Sequence, residues 1–222
     1  MKDSLFIRDC GLIEYREALR LQQQLHQKRC RGEIPNTVLI AEHLPVITFG
    51  ANKDANRLLV DEGGLLQRGI ELVRSRRGGG ATAHNPGQLV FYPILNLKQL
   101  GFGIGEYIKE LEAIGAELLK QLGVVSQRRR GFPGLWVGEK KIACIGLRIS
   151  KQVSFHGMAL NIQNELDIFD FIVPCGLERV KMTSIWKQTG RVNSMIRVKE
   201  ILRRLLVRDF SSVEVVEYEK CA

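Results

Sequence analysis

A cysteine between proline and glycine is the strongest candidate for chemistry in this sequence. Cys175 follows an apolar run, 171–173, and stands in the tripeptide Pro174-Cys175-Gly176. Proline and glycine favour turns, so this order predicts a thiol on a turn rather than inside a helix or strand. Most cysteines are simply buried, but a loop cysteine behind a buried segment is well placed for nucleophilic attack.

A glycine-rich segment, Arg76 to Gln88, is the second candidate. Its three consecutive glycines, 78–80, let the backbone approach a ligand closely and expose N–H donors. No Gly-Lys-Ser/Thr follows, so the segment is not a P-loop, and a strand rather than a helix follows, which excludes a dinucleotide fingerprint. The segment predicts a binding loop for an anion or a carbonyl oxygen, with a mobile hinge as the alternative.

A strand-like segment, 141–149, carries a lysine at its start. Strand alternation assigns Lys141, Ala143 and Ile145 to one face and Ile142 and Cys144 to the other. A lysine at a strand start is usually solvated, so Lys141 becomes functional only if a nearby group needs a cation. Another strand, 153–160, carries a histidine at position 156, for which a hydrogen-bonded core side chain is the commoner interpretation.

The elements that must position these groups are mixed. Apolar spacing predicts helices over 12–28, 59–69, 104–122 and, with Ser194 as the N-cap, about 194–207. Strands are predicted over 4–8, 36–41, 45–49, 70–74, 88–94, 135–137, 141–149, 153–160 and 213–216. Adjacent antiparallel hairpins in a mixed order favour an α+β fold around a mostly antiparallel sheet.

Composition narrows the class of protein. The 222 residues predict one domain, 1–222, with 45% hydrophobic residues and no membrane span. Five scattered cysteines without a CxxC argue against disulfides or a zinc site, and the acidic N-terminus predicts a cytoplasmic protein. A net charge of +9 with only 7% aromatic residues favours an acidic protein partner over nucleic acid.

Four segments, in this order, resemble the lipoyl(octanoyl) transferase family. The first is Arg77-Gly78-Gly79 with Thr82, His84 and Gln88, and the second is Lys141-Ile142-Ala143 with Ile145-Gly146. The third is His156 to Asn161, and the fourth is Pro174-Cys175-Gly176-Leu177. The segment Glu42 to Gly50, which precedes all four, also matches the family. Each motif alone is modest, whereas four in register are specific.

The resemblance implies the fold of biotin and lipoate protein ligases and a Cys175 thioester acyl-enzyme. Lys141 would lower the cysteine pKa or act as a base, and His156 and Asn161 would support the site. The N–H groups around Gly176, or the His84 side chain, are candidates for oxyanion donors. The acyl site would be lined by Arg77, Gly78, Gly79, Gly80, Ala81, Thr82, Ala83, His84, Cys144, Ile145, Gly146, Gly157, Met158 and Ala159.

The implied reaction moves an octanoyl or similar acyl group from acyl carrier protein to a lipoyl-domain lysine. The acceptors would be E2 subunits of 2-oxoacid dehydrogenases and the H protein of glycine cleavage. No ATP, other cofactor or metal, no nucleic acid and no membrane would take part, and the protein would be a monomer.

Two positions depart from the family pattern. Ala83 stands where the family usually has an aromatic residue, which predicts an enlarged acyl pocket. Asn85 stands where the family usually has glycine, a mild change because Asn tolerates positive φ.

Three alternatives stay open at the level of sequence. An ATP-dependent lipoate or biotin ligase of the same fold would share the glycine loop but would need no cysteine. A non-catalytic carrier-binding protein would keep the fold without needing both Lys141 and Cys175. An RNA-binding module is supported by charge alone.

Overall fold

A computed structural model describes residues 4–211 and 218–220 of the chain. The helices are α1 (Tyr15–Cys30), α2 (Glu62–Gln67), α3 (Leu97–Leu100), α4 (Ile104–Gln121), α5 (Ile185–Thr189) and α6 (Met195–Phe210). The strands are β1 (Leu5–Ile13), β2 (Asn36–His43), β3 (Val46–Phe49), β4 (Glu71–Arg74), β5 (Thr82–His84), β6 (Gln88–Ile94), β7 (Gly134–Val137), β8 (Lys140–Ser150), β9 (Val153–Asn161), β10 (Lys181–Met182) and β11 (Tyr218–Lys220).

Within the described residues, the main sheet has eight strands. Seven follow the order β10-β8-β9-β6-β2-β1-β11, and β7 pairs with β8 on the edge opposite to β10. The central pairs β2–β6, β6–β9 and β8–β9 are antiparallel, whereas β1–β2, which α1 connects, is parallel. The predicted α+β fold with a mixed, largely antiparallel sheet flanked by helices is confirmed.

Hydrophobic cores lie against both faces of this sheet. The apolar stripes of α4 and α6, which include Leu111, Leu118 and Leu202, pack with Leu89, Phe91 and other sheet residues in the largest core. A second core joins Leu39, Val90 and Tyr92 of the sheet to Ala18, Leu21 and other residues of α1. The sheet is therefore covered by hydrophobic cores on both faces.

A small second sheet lies next to the main one. Its strands run in the order β4-β3-β5, with β3 parallel to β4 and antiparallel to β5. Its own core includes Ile47, Ala81 and Ala83, and is closed by Phe169 and Ile172 from the segment before Cys175. This core fixes the glycine-rich segment relative to the cysteine segment.

The structure confirms most of the predicted elements. The strand predicted over 88–94 coincides with β6, and the helices predicted over 104–122 and 194–207 correspond to α4 and α6. Strands β2, β3, β4, β7, β8 and β9 agree with prediction to within a few residues, and α2 is shorter than predicted because Asp61 caps it late. The strand predicted over 213–216 lies outside the described residues.

The boundary between β1 and α1 was predicted wrongly. Leu12 was assigned to the helix, but it continues the strand and pairs with Glu42 of β2. A register shift between Asp9 and Leu12, with Gly11 at φ 61°, lets β1 run on to Ile13. The short elements β5, α3, α5 and β10 were also missed, because runs of two to five residues carry too little periodicity to predict.

Candidate active site

A cavity of about 550 Å³ opens between the end of the main sheet and the small sheet. Its volume lies within the roughly 300–1,000 Å³ typical of small-molecule sites. Its wall is largely apolar, with Ile104, Ile108, Leu147, Met158 and Ala159 among its residues. Such a cavity suits an apolar chain that carries a reactive polar end.

Cys175 is held at the cavity wall in a conformation that few residues adopt. Its φ and ψ are 58° and 16°, the left-handed region, and its side chain is half-buried. The Cys175 N–H donates to the Ala81 carbonyl at 2.7 Å, which fixes the Cys175 backbone to the residue that follows the three glycines. Downstream, Thr183 N–H donates to the Lys141 carbonyl at 2.9 Å, so the same loop is attached to β8.

Lys141 and Cys144 both reach Cys175, although strand alternation assigned them to opposite faces. Lys141 Nζ and Cys144 Sγ each lie 3.8 Å from Cys175 Sγ. The neighbouring residues Leu135 and Trp136 of β7 pair with Ala143 and Lys141, which leaves Ile142 as an extra residue. This β-bulge resets the alternation, and the prediction of opposite faces is corrected on that ground.

The thiol of Cys175 is strongly acidified by its surroundings. A hydrogen bond from Cys144 and the charges of Lys141 and Arg77 lower the pKa of Cys175 to about 6, against the opposing effect of burial. The same hydrogen bond and burial raise the pKa of Cys144 well above its usual range. Of the two thiols, Cys175 is therefore the one that ionises near neutral pH.

Arg77 organises the glycine loop from inside. Its guanidinium donates to the carbonyls of Gly78 at 3.1 Å, Gly80 at 2.7 Å and Thr48 at 2.6 Å, and to the Thr48 hydroxyl. Among the described residues it has no carboxylate partner. Since all five N–H groups are engaged, Arg77 shapes the loop and contributes charge, and it has no donor left for a ligand.

His84 is buried, and its tautomer follows from its partner. Its Nδ1 lies 2.7 Å from Gln88 Oε1, while Gln88 Nε2 donates to Asn161 Oδ1 at 2.8 Å. The Gln88 oxygen must accept, so His84 carries its proton on Nδ1 and a lone pair on Nε2. Burial, with the nearby His43 and Arg77, lowers the pKa of His84 to about 3. A neutral Nε2 accepts hydrogen bonds, so His84 is not an oxyanion donor through that atom.

The N–H groups at Gly176 are also engaged. Gly176 N–H donates to the Val173 carbonyl at 3.1 Å, and Leu177 N–H donates to Pro174 at 3.0 Å. By contrast, the N–H groups of Gly79 and Gly80, which line the cavity, have no hydrogen-bond partner within the described chain. The prediction of oxyanion donors around Gly176 is therefore corrected.

His156 and Asn161 occupy different positions on β9. His156 lies at the cavity wall with φ 62°, and within the described residues neither ring nitrogen of this buried side chain has a partner. Asn161 lies away from the cavity and donates to the Thr183 carbonyl at 3.0 Å. Asn161 thereby connects the His84–Gln88 pair to the segment that follows Cys175.

Most predicted site residues meet at this cavity. Its wall includes Arg77, Gly78, Gly79, Gly80, Thr82, His84, Lys141, Cys144, Ile145, Gly146, His156, Gly157, Met158, Ala159 and Cys175. Ala81 and Ala83 do not line it, because their side chains belong to the core of the small sheet. The predicted enlargement of the pocket by Ala83 is thus wrong, since β5 turns Thr82 and His84 toward the cavity and Ala83 away.

Asn85 also behaves differently from expectation. It does not adopt positive φ; its amide donates to the Glu165 carbonyl at 2.8 Å and accepts from Asn164 at 3.1 Å. Asparagine at this position therefore connects the glycine-rich segment to the loop after β9.

Several cavity residues were not predicted. Tyr15, Ile104 and Ile108 come from helices, Phe132 and Pro133 from the loop before β7, and Leu147 and Ile149 from β8. These residues are distant in sequence and chemically ordinary, so no local signal identified them. Leu177, which also lines the cavity, lies within the Pro174-Cys175-Gly176-Leu177 motif but was not predicted as a site residue.

The described residues contain neither a metal-binding cluster nor a membrane-spanning helix. No group of three or more His, Cys, Asp or Glu side chains among them is arranged to hold a metal ion. No helix in that part of the chain is long and apolar enough to cross a bilayer.

The fold is that of the lipoyl protein ligase class of enzymes. The chain belongs to the family described as "Lipoyl protein ligase A/B catalytic domain", which it matches over residues 14–206. It is similar to the octanoyltransferase of Desulfovibrio desulfuricans, with 41% identity over 86% of this chain and 81% of the relative. It also resembles the octanoyltransferase of Syntrophobacter fumaroxidans, with 37% identity over 96% of each chain.

Solved structures support the same fold at much lower identity. A lipoate-protein ligase A bound with ATP matches with a TM-score of 0.70 and 18% identity, over 98% of this chain and 90% of that one. The P. falciparum LipL1 complex with lipoate has a TM-score of 0.73 and 12% identity, over 97% and 66% of the two chains. The biotin protein ligase of Aquifex aeolicus matches with a TM-score of 0.52 and 14% identity, over 94% of this chain and 69% of that one. The curated relatives identify the chain as an acyltransferase that acts in octanoyl transfer for lipoylation.

Proposed function

We propose that the protein transfers the octanoyl group through a thioester on Cys175. The observation that carries this proposal is the 3.8 Å contact between Lys141 Nζ and Cys175 Sγ at the wall of an apolar cavity. In the first step, the Cys175 thiolate attacks the donor thioester carbonyl. The acyl–Cys175 bond forms as the carbon–sulfur bond to the donor breaks, and the departing thiolate takes a proton from Lys141.

In the second step, Lys141 has the opposite role. The amine of the acceptor lysine attacks the Cys175 thioester and forms the amide, and Cys175 leaves as a thiolate. Lys141, neutral after the first step, takes the proton that the amine loses. Each proton given in one half-reaction is therefore recovered in the other, and Lys141 returns to its charged state.

The acidity of Cys175 makes the nucleophile available, but it supplies little of the rate. At pH 7, lowering a cysteine pKa from about 8.5 to about 6 raises the thiolate fraction roughly 30-fold. Intrinsic nucleophilicity falls roughly 10- to 18-fold over the same interval at a Brønsted slope of 0.4–0.5. Most of the acceleration must then come from positioning and from stabilisation of the oxyanion.

We assign oxyanion stabilisation to the glycine loop. Gly79 and Gly80 line the cavity, their N–H groups have no partner within the described chain, and Gly80 precedes Ala81, whose carbonyl accepts from the Cys175 N–H. Arg77 fixes the carbonyls of Gly78 and Gly80, which orients the intervening peptide units. This preorganised loop is our candidate for the group that binds the developing negative charge.

The partners that fit this chemistry are two proteins and no cofactor. We propose acyl carrier protein as octanoyl donor and the lipoyl domains of E2 subunits and the H protein as acceptors. Thioester to amide is downhill, so the transfer needs no ATP, and we propose that it uses no metal. We further propose that residues 1–222 act as a single catalytic domain, as a monomer, in the cytoplasm.

Intact mass spectrometry after incubation with octanoyl carrier protein tests the acyl-enzyme. We expect wild type to gain one hydroxylamine-labile octanoyl group, and Cys175→Ala to gain none and to lose transfer. Cys30→Ala, which removes a half-buried thiol on α1, is the matched control and should acquire the adduct normally. Retention of activity by Cys175→Ala would contradict the proposal.

The second candidate is an ATP-dependent ligase, favoured by the ATP-bound structural neighbour. Exchange of labelled pyrophosphate into ATP with octanoate present would identify that activity. We expect none. Exchange that persists in Cys175→Ala would favour the ligase.

A further inference from the structure

The second thiol at the site, Cys144, has no assigned step in acyl transfer. It lies on β8, buried, with its Sγ 3.8 Å from that of Cys175. Its strand pairs with β7 on one side and β9 on the other, so the backbone under Cys144 is fixed. Cys175 instead stands on a 3-10 turn in a left-handed conformation.

The two sulfur atoms are placed for bond formation. A disulfide needs an S–S distance of about 2.05 Å, which is reached from 3.8 Å by a closure of about 1.8 Å. Side-chain rotation together with a small shift of the 3-10 turn can supply this movement. Both thiols also line the cavity, so a small oxidant that enters it meets them together.

The pair is chemically asymmetric. Lys141 and the buried Arg77 favour the thiolate of Cys175, the form that attacks peroxides. Cys144 is held as a thiol by burial and by its hydrogen bond to Cys175. An oxidised thiol with a protonated thiol at contact distance is the arrangement in which a resolving cysteine acts.

We propose that Cys144 is a resolving cysteine and that the Cys144–Cys175 pair is a reversible redox-modification site for hydrogen peroxide or an organic peroxide. The Cys175 thiolate attacks the terminal peroxide oxygen, the O–O bond breaks, and Cys175 sulfenic acid forms. The departing hydroxide or alkoxide takes a proton from Lys141 and leaves as water or an alcohol. Cys144 sulfur then attacks the Cys175 sulfur, and the displaced hydroxyl group leaves as water with the Cys144 proton. A thiol reductant restores both cysteines.

Two consequences follow from such a pair. Disulfide formation blocks Cys175 and halts acyl transfer, an effect that rests on the proposed acyl-enzyme. It also protects Cys175 from the irreversible sulfinic and sulfonic acids. The disulfide itself does not depend on what Cys175 does in transfer, so the two proposals can fail separately.

The test combines mass and activity after peroxide treatment of the full chain. Wild type, Cys144→Ser, Cys175→Ala and Cys30→Ala are treated with hydrogen peroxide, digested without reduction and mapped, and transfer is measured before oxidation, after oxidation and after dithiothreitol. Activity is normalised to each variant's own untreated value. Cys30→Ala controls for peroxide damage outside the pair.

In wild type and Cys30→Ala we expect a loss of two hydrogens, a cross-linked peptide joining Cys144 and Cys175, and nearly full recovery with dithiothreitol. In Cys144→Ser we expect Cys175 to gain two or three oxygens, with almost no recovery. Wild type that over-oxidises Cys175 as Cys144→Ser does, without the cross-link, would overturn the redox proposal. A cross-link in wild type together with full transfer by Cys175→Ala would instead overturn the acyl-enzyme and leave the redox pair standing.

Discussion

Cys175 faces two buried cations, and neither has a carboxylate partner among the described residues. Lys141 is 2% exposed and Arg77 is 6% exposed. Burying a charge without a counterion is costly. The Cys175 thiolate is the anion that reduces this cost, so the site favours ionised sulfur for reasons of stability as well as reactivity.

The acidity of Cys175 predicts its reactivity as a function of pH. The thiolate is the reactive form, so alkylation by iodoacetamide should rise with a midpoint near pH 6 rather than near 8.5. Lys141→Met removes a charge that favours the thiolate and should move the midpoint upward. The adjacent, exposed Lys140 provides the matched control, because Lys140→Met should leave the midpoint in place. An identical pH profile for wild type and Lys141→Met would exclude Lys141 as the acidifying cation.

At the residue scale, the sequence identified the side chains able to do chemistry but not the direction in which each of them points. Cys175, Lys141 and the glycine loop were identified by type and motif, and the structure brings them together at one cavity. Ala83 was assigned to the same cavity because it lies within the motif. Its side chain packs in the core of the small sheet instead, and only the orientation of β5 decides this.

At the scale of elements, the bulge in β8 creates the site. A regular strand would turn Lys141 and Cys144 to opposite faces, whereas the extra residue Ile142 lets both approach Cys175. Nothing in the local sequence marks this bulge. It depends on how β7 pairs with β8, and therefore on contacts between segments.

Helix α4 offers a test of whether the cavity holds the acyl chain, as proposed. A Cβ added at Gly115 would lie 2.7 Å from Met158 Cε, the flexible end of a cavity residue. Gly115→Ala should therefore push Met158 into the cavity and shift preference toward shorter acyl chains by several-fold in kcat/KM. The free energy of unfolding should change little, because the close contact with Met158 offsets the gain of about 1 kcal/mol that alanine gives over glycine in a helix.

Gly105→Ala on the same helix is the control. A Cβ there meets nothing within 4 Å, so chain-length preference should stay unchanged while stability rises by up to about 1 kcal/mol. Competition between hexanoyl and octanoyl donors measures the preference. Equal preference in wild type and Gly115→Ala would mean that Met158 does not limit the acyl chain.

At the scale of the whole molecule, buried histidines link folding to pH. His43 donates from Nδ1 to the Ile13 carbonyl and accepts the Tyr92 hydroxyl at Nε2, and burial lowers the pKa of His43 to about 4. A histidine with a lowered pKa binds its proton more readily when unfolded. The contribution of His43 to the free energy of unfolding is therefore fully present above pH 6.5 and is lost as the pH falls toward 4.

The expected loss is measurable by urea unfolding. Between pH 7 and pH 5, His43 alone should lower the free energy of unfolding by about 2 kcal/mol, and His84 should contribute a similar amount. His43→Gln keeps a donor and an acceptor but cannot titrate in this range. This variant should show a pH dependence smaller by about 2 kcal/mol, whatever its stability at pH 7, and an unchanged dependence would exclude His43 as a source.

The net charge of +9 predicts that the apparent KM for the proposed donor, acyl carrier protein, depends on salt. Long-range attraction is screened beyond about 8 Å at physiological salt, so raising salt from 50 to 300 mM should raise the apparent KM for octanoyl carrier protein several-fold. An uncharged octanoyl thioester of a small thiol is the control and should show little change. An apparent KM for the carrier that does not change with salt would exclude electrostatic attraction as a contribution to carrier binding.

The sequence by itself determined the α+β class, most long elements, the family and the residues able to do chemistry. The class and the elements follow from local periodicity, whereas the family and the candidate residues follow from the resemblance of four motifs, in order, to a known family. Only the tertiary structure decided that Lys141, Cys144 and Cys175 meet, that the N–H of Gly176 is already bonded, and that Ala83 faces away. Each of these depends on a bulge, a turn or a register set by segments far apart in the chain, where a shift of one residue reverses the face a side chain occupies.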